Sequence, residues 1–407
     1  MESEEGIFSS ANIIAGADPR GNSLDHLYRT AIAKQYSIAI WCLPETGELH
    51  ACISLQPNMV VPKPDLEQSP FGFLFCPFAP QGPHQNLFIK ADLYYTAGTG
   101  KLTVTTDAPV QEYENFRAAL KVPHPNNWHI SGPAFLHAYQ QESCFTSGVA
   151  KAVQAISSGE MEKVVLSRDY LEQLPSDFSP VAALEAMQQA YPDVFVSLVS
   201  IPGVGTWMGA SPEILVSVNE EKVFHTVALA GTQPAVAGES VASAIWRQKE
   251  IEEQAMVERY ILKCFKTLRL RDYTEVGPRT IIAGNLMHLR TDFKVDLKEV
   301  DFPTLATDML ALLHPTSAVC GLPKEPALQF ILENEGFDRS YYSGFLGPVS
   351  SATGTHLYVN LRCMELLEEE AILYAGAGIT AESNPQKEWQ ETQHKMQTMR
   401  QILSNFE

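Results

Sequence analysis

Apolar and polar positions alternate with a period of two through much of the first third of the chain. YSIAIWCL, the turn ETG and ELHACISL read as one hairpin; NLFIKADLYYT, AGTG and KLTVTT read as another. The stretch from Val122 to Pro133, VPHPNNWHISGP, holds three prolines and no period, which predicts a connection. Beyond it the two periods mix. Helical spacing predicts helices at Phe145 to Ser157, in PVAALEAMQQAY, from Trp246 to Leu268 and from Gln386 to Leu403. The third of these repeats Ile251, Met256, Val257, Tyr260, Ile261, Cys264 and Leu268 on one side. Strands are predicted in EKVVLSRDY and DVFVSLVSI, in EILVSVNEEKVFHTVALAG with a turn at NEEK, and in HLYVNLRCMELLEEEAILYAGAG with a turn at EEE. Strands recur in pairs and helices do not regularly separate them. The pattern therefore predicts an α/β chain of the α+β type with antiparallel sheets, not a doubly wound parallel one.

Length adds that 407 residues make two to three units, or one large domain. Cations number 29 and acids 48, a formal balance of −19 that argues against a nucleic-acid or anionic-membrane partner. With 45% hydrophobic residues there is material for a large core. The N-terminal MESEEGIFSS lacks a basic region followed by an apolar run, and no apolar stretch is long enough for a membrane span. The cysteines, an odd number, are scattered without a CxxC pair, so reduced thiols and a cytoplasmic location are expected.

Several motifs carry candidate chemistry. Gly376, Gly378 and Ala381 satisfy a loose dinucleotide fingerprint, but the chain ends within one helix of it, and close backbone approach explains the glycines better. AGTGKLT fails the phosphate-loop pattern at Leu102. Two carboxylate pairs, Glu250 with Glu253 and Glu388 with Glu391, each share a helix face. Spacing alone allows two solvated surfaces or, if the faces meet, a hard-cation site. Lys163 is an edge lysine or, turned inward, a base. Glu213 after Pro212 caps a turn or serves as an acid. The histidines show no HExxH or close cluster, which argues against a zinc hydrolase.

Read in order, KVVLSR at Lys163, GASPE ending at Glu213, ALAGT ending at Thr232, KEIEEQ from Lys249, MHLRT around His288, LLHPTSAVCG, FDRSYYSGFLG, LRC at Arg362, AGAGI and EWQETQHK ending at Lys395 resemble the chorismate-binding enzymes, and among them the isochorismate synthases most. The resemblance runs from about Cys144 to the C-terminus. It implies two large antiparallel sheets packed face to face with helices outside, the anthranilate or aminodeoxychorismate synthase type of fold. In this arrangement residues 1–130 are a mostly β region contributing to the same fold, and 140–407 are the catalytic region.

The resemblance also assigns roles. Lys163 becomes the general base that activates water at ring C2, and Glu213 the general acid at the C4 hydroxyl. Arg362 and Lys395 would hold the carboxylates of chorismate. Gly231, Thr232 and Gly376 would line it, with His288, Tyr342 and Ala318 nearby. Mg2+ would be bound by Glu253 and Glu391, completed by Glu250 and Glu388 directly or through water. Lys163 points away from anthranilate synthases, which usually have glutamine there. Ala318 points to release of isochorismate, since salicylate synthases tend to have threonine. Salicylate synthesis, amination with a glutaminase partner and a non-catalytic chorismate-binding paralogue are the alternatives. The implied protein is a monomer, and its route onward, to menaquinone, a siderophore or salicylate, stays open. Gln233 and Ala235 replace cations of the family string, Gln254 replaces a histidine and Ser317 a proline.

Overall fold

The computed structural model describes residues 23–79, 83–105, 107–131, 141–234, 241, 244–283 and 286–406. MESEEGIFSS, the end of the proline-rich connection and Ala235 lie outside the described residues.

Two sheets organise the chain, and every strand pairing among the described residues is antiparallel. The first runs β15 (Gly321–Leu322), β8 (Lys163–Gln173), β19 (Glu370–Ile379), β18 (Cys363–Leu366), β10 (Gly205–Ser211), β9 (Phe195–Ile201), β1 (Ser37–Cys42), β2 (Leu49–Ser54), β6 (Leu93–Thr96) and β7 (Lys101–Val104). The second runs β13 (Thr274–Ala283), β14 (Leu286–Asp296), β12 (Val223–Pro234), β11 (Ile214–Asn219), β17 (Gly354–Val359), β16 (Phe345–Val349), β4 (Gly72–Cys76), β5 (Leu87–Lys90) and β3 (Met59–Val60).

Alternation within single strands builds the layers, because successive side chains point to opposite faces. Ala39 and Trp41 of β1 pack with Phe73, Phe75 and Ile89 of the second sheet, and this inter-sheet core joins the two faces. Ile38 and Ile40 point the other way, toward α1 (Leu24–Ala33) and α4 (Pro180–Ala190), in a core that also takes in α2 (Val110–Ala119) and α8 (Pro385–Leu403). Leu74 and Cys76 of β4 likewise turn away from their neighbours, into a core shared with α5 (Gln248–Thr267) and α6 (Leu305–Leu313). That core continues under α3 (Glu142–Ser157) and α7 (Lys324–Asn334) to Val164 and Leu166 of β8. Helices thus flank a face-to-face pair of sheets.

Two runs read from sequence as continuous strands are broken. NLFIKADLYYT divides at Ala91 and Asp92: β5 stays in the second sheet and β6 enters the first. Buried Asp92 makes the corner by accepting Leu55 N at 2.9 Å. HLYVNLRCMELL divides in the same way between β17 and β18. There Asn360 donates through Nδ2 to Tyr341 O at 2.9 Å, and Arg362 adopts a left-handed φ of 48°. Ile251, placed on the apolar stripe of α5, is 47% exposed, because the buried stripe starts a turn later, at Gln254.

Candidate functional site

Lys163 opens β8 with a fully buried side chain, and its Nζ donates to Glu253 Oε1 at 2.8 Å. Val165 and Ser167 share its face of the strand. Opposite them in β19 stand Gly378 and Gly376. A Cβ on Gly378 would lie 2.6 Å from Glu253 Oε1 and 3.1 Å from Lys163 Cε. The glycines therefore let a helix carboxylate and a strand lysine meet over bare backbone, the close approach expected of them.

Glu253 comes from α5, and α8 brings its own carboxylates beside it. Lys249 Nζ donates to Glu388 Oε1 at 2.6 Å, tying the two helices together. Glu253 and Glu391 line one cavity, so the two glutamate faces do meet. Burial would raise the Glu253 carboxyl, but Lys163, Lys395 and Lys249 outweigh it and hold the group below its ordinary range. Lys395 Nζ binds Glu391 Oε1 and Gly376 O, both at 2.8 Å.

Glu213 lines the same cavity from the turn ahead of β11 and is buried. Burial pushes its carboxyl up to about 7, only partly offset by Thr316, Lys163, Lys395 and Arg362. Thr316 Oγ1 donates to Glu213 Oε1 at 3.2 Å. The carboxyl thus exchanges its proton near neutrality, as a general acid requires.

The residues predicted to bind substrate converge here as well. The β12–β14 register shifts between Ala230 and Thr232, leaving Gly231 as a bulge at φ 64°. Its carbonyl accepts from His288 Nδ1 at 3.0 Å, so in the neutral ring Nε2 is an acceptor toward Arg362 Nη2 at 3.4 Å. Burial, with Arg362 adding to it, pushes His288 down to about 3, and the ring is neutral at physiological pH. Burial lowers Arg362 to about 10, still a cation at pH 7. Thr232, Ala318, Tyr342 and Gly376 complete the lining. Tyr342 stacks on Tyr374 at 5.2 Å between centroids.

Glu388 is buried, and its Oε2 has no hydrogen-bond partner, an orphaned acceptor of the kind a cation or its water would satisfy. Among the described residues no three His, Cys, Asp or Glu side chains group as an ion site. Glu253 and Glu391 on one cavity, with the unpartnered Glu388 oxygen, fit at most an ion that takes one or two carboxylates and keeps its waters, as magnesium does. Glu250 is placed differently: its Oε2 accepts Arg247 N at 2.9 Å and caps α5.

Sequence reasoning assigned no role to Lys249 or Thr316. Lys249 is four residues before Glu253 on one helix, a shared-face spacing that was the available signal; Thr316 had none beyond its place in LLHPTSAVCG. Gln254, where the family string has histidine, is an internal brace: its Oε1 accepts Ala230 N at 3.0 Å and its Nε2 donates to Ala228 O at 3.2 Å, beside the bulge. Buried Ser317 Oγ has no partner. A larger cavity of about 670 Å³ against α5, α6 and α7 holds none of the predicted site residues.

Comparison with known proteins gives the family and the fold. The family model described as chorismate binding enzyme matches residues 87–404. The chain is 30% identical to isochorismate synthase EntC of Escherichia coli K12 over 271 residues, 65% of this chain and 68% of that protein. It is 31% identical to isochorismate synthase DhbC of Bacillus subtilis 168 over 312 residues, 69% and 76% of the two. The solved structure of MenF, the menaquinone-specific isochorismate synthase of Escherichia coli, matches with a TM-score of 0.74 at 22% identity, covering 93% of this chain and 91% of that one. Anthranilate synthase component I of Streptococcus pneumoniae matches at 0.61 and 22%, covering 90% and 92%. The two-sheet fold is shared with both.

Proposed function

The chain belongs to the chorismate-binding enzyme family, and on that premise we propose that it is an isochorismate synthase, converting chorismate to isochorismate. The observation that carries this reading is a buried carboxylic acid and a buried lysine at one site: Glu213, from the turn before β11, lines the cavity, and Lys163, from β8, donates to Glu253 of the same lining. Lys163 takes a proton from a water as its oxygen bonds to ring C2. The C4–O bond breaks as Glu213 gives its proton to the departing hydroxyl. One water enters and one leaves, and the double bonds shift between them.

Charge supports the rest of the reading. With Lys163 neutral, as a base must be, and Glu213 protonated, as an acid must be, Lys249, Lys395 and Arg362 stand against Glu253, Glu388 and Glu391, so a dicarboxylate adds two negative charges to a balanced site. Magnesium held by Glu253 and Glu391, with Glu388 reached through water, would offset them and polarise the ring carboxylate. Arg362 and Lys395 would pair with the substrate carboxylates, while neutral His288 offers hydrogen bonding without adding charge. All seven cysteines are free, which accords with a cytoplasmic enzyme. A monomer belongs to the same reading.

Product analysis tests it. Purified protein with chorismate and magnesium, with and without ammonium, is resolved by chromatography and mass spectrometry. Isochorismate without pyruvate is the expected outcome. Salicylate with pyruvate, or an ammonium-dependent aminated product as the likeness to anthranilate synthase would favour, overturns it.

A further inference from the structure

We propose that Glu335 and Arg339 are positioning residues for the substrate seat, acting as a side-chain substitute for a strand that the first sheet lacks. β15 pairs with β8 only at Gly321 with Val164 and Leu322 with Lys163. Ahead of β15 the chain forms the loop of Thr316, Ser317, Ala318 and Val319, and Cys320 O accepts Val165 N at 2.8 Å. The next backbone groups on this edge of β8 meet side chains. Arg339 Nη2 donates to Val165 O at 2.8 Å, and Glu335 Oε1 accepts Ser167 N at 2.7 Å. Arg339 Nη1 donates to Val319 O at 2.8 Å, and its Nε to Glu335 Oε2 at 2.7 Å. One guanidinium therefore spans Val165 and Val319, and both line the cavity.

Both side chains are buried, at 3% and 1% exposure. Apolar residues would fill the same space but leave two carbonyls and an N–H without partners. A continued strand would satisfy those groups, but it would put main chain where Ala318 and Val319 now form a wall. The ion pair thus closes the sheet edge without main chain and ties Val165 to Val319, two residues of the cavity lining. The planar fork matters because a lysine ammonium is a point donor on a flexible stem and does not hold two carbonyls in one plane.

This inference rests on the cavity being the seat of chorismate. It is tested by measuring the chorismate Kd by calorimetry, KM, kcat and Tm for wild type, Arg339→Lys and the double variant Glu335→Leu with Arg339→Met. The double variant replaces the ion pair by apolar residues of similar reach, and it should lower Tm because Val165 O, Val319 O and Ser167 N lose their partners. Both variants should fold and weaken Kd and KM by about ten-fold or more, with kcat changed less. Arg339→Lys alone decides if the double variant does not fold. Folded variants that bind chorismate as wild type does overturn the positioning role and leave the functional reading standing. Wild-type protein that fails to bind chorismate overturns the functional reading, and this one with it.

Discussion

Lys163 Nζ donates to Glu253 Oε1 at 2.8 Å, joining the proposed base to the carboxylate proposed as a metal ligand. The contact exists because Gly378 presents no side chain. Gly378→Ala would set a methyl 2.6 Å from the carboxylate oxygen and 3.1 Å from the lysine stem, so the pair must part. Turnover is expected to fall by about ten-fold or more, since small misplacements of catalytic groups are costly. Kinetics beside a melting curve check this. Wild-type kcat would show that the pairing is incidental to the chemistry.

Lys163→Ala should abolish turnover while leaving chorismate binding nearly intact. The substrate carboxylates are assigned to Arg362 and Lys395, which the substitution leaves in place, whereas the proton acceptor is removed. A loss of about 10²-fold or more in kcat is expected, with calorimetry giving a Kd close to that of wild type. Undiminished kcat would take Lys163 out of the mechanism.

Much of this was legible in the chain, for identifiable reasons. Short-range pairings such as β1 with β2 and β11 with β12 follow from period-two runs flanking a turn. The glutamate pairs follow from helical spacing. Their meeting does not, because Lys249 and Glu388 are joined across 139 positions and only the fold brings them together. The sheet crossings at Asp92 and Arg362 left no mark in the pattern, since the strands on either side are largely buried on both faces. What turns the chain there is a distant partner, such as Leu55 N for Asp92 and Tyr341 O for Asn360. Arg362 reaches the site through such a crossing, and sequence identified it only by family resemblance.

Glu213, as the proposed acid, should set the alkaline limb of activity. Its folded pKa, about 7, lies above the ordinary 4.5, so the native state keeps a proton that the unfolded chain has lost. As pH rises through that window the folded state loses this advantage, and above about 7 the acid is spent. kcat should therefore decline above neutrality. Glu213→Gln, which cannot donate in the same way, should cost roughly 10²- to 10⁴-fold and abolish that limb. A pH–rate profile of both proteins checks it. A wild-type profile that stays flat to pH 9 would remove Glu213 as the acid.

The carboxylates on α5 and α8 should differ in their response to magnesium. Glu253 and Glu391 face the cavity, so Glu253→Gln or Glu391→Gln should raise the magnesium concentration for half-activation by about ten-fold or more. Glu250 is turned to its own helix end, where its carboxylate accepts Arg247 N. Glutamine preserves that cap, whereas Glu250→Ala should cost about 1 kcal/mol of stability. Glu250→Gln should therefore shift half-activation less than either cavity glutamate. Magnesium titrations of activity, with melting curves in and out of magnesium, separate the two effects. Equal shifts in all three glutamine variants would mean that the Glu250 cap opens when the ion binds, and unchanged half-activation in Glu253→Gln would return that residue to the role of a partner for Lys163 alone.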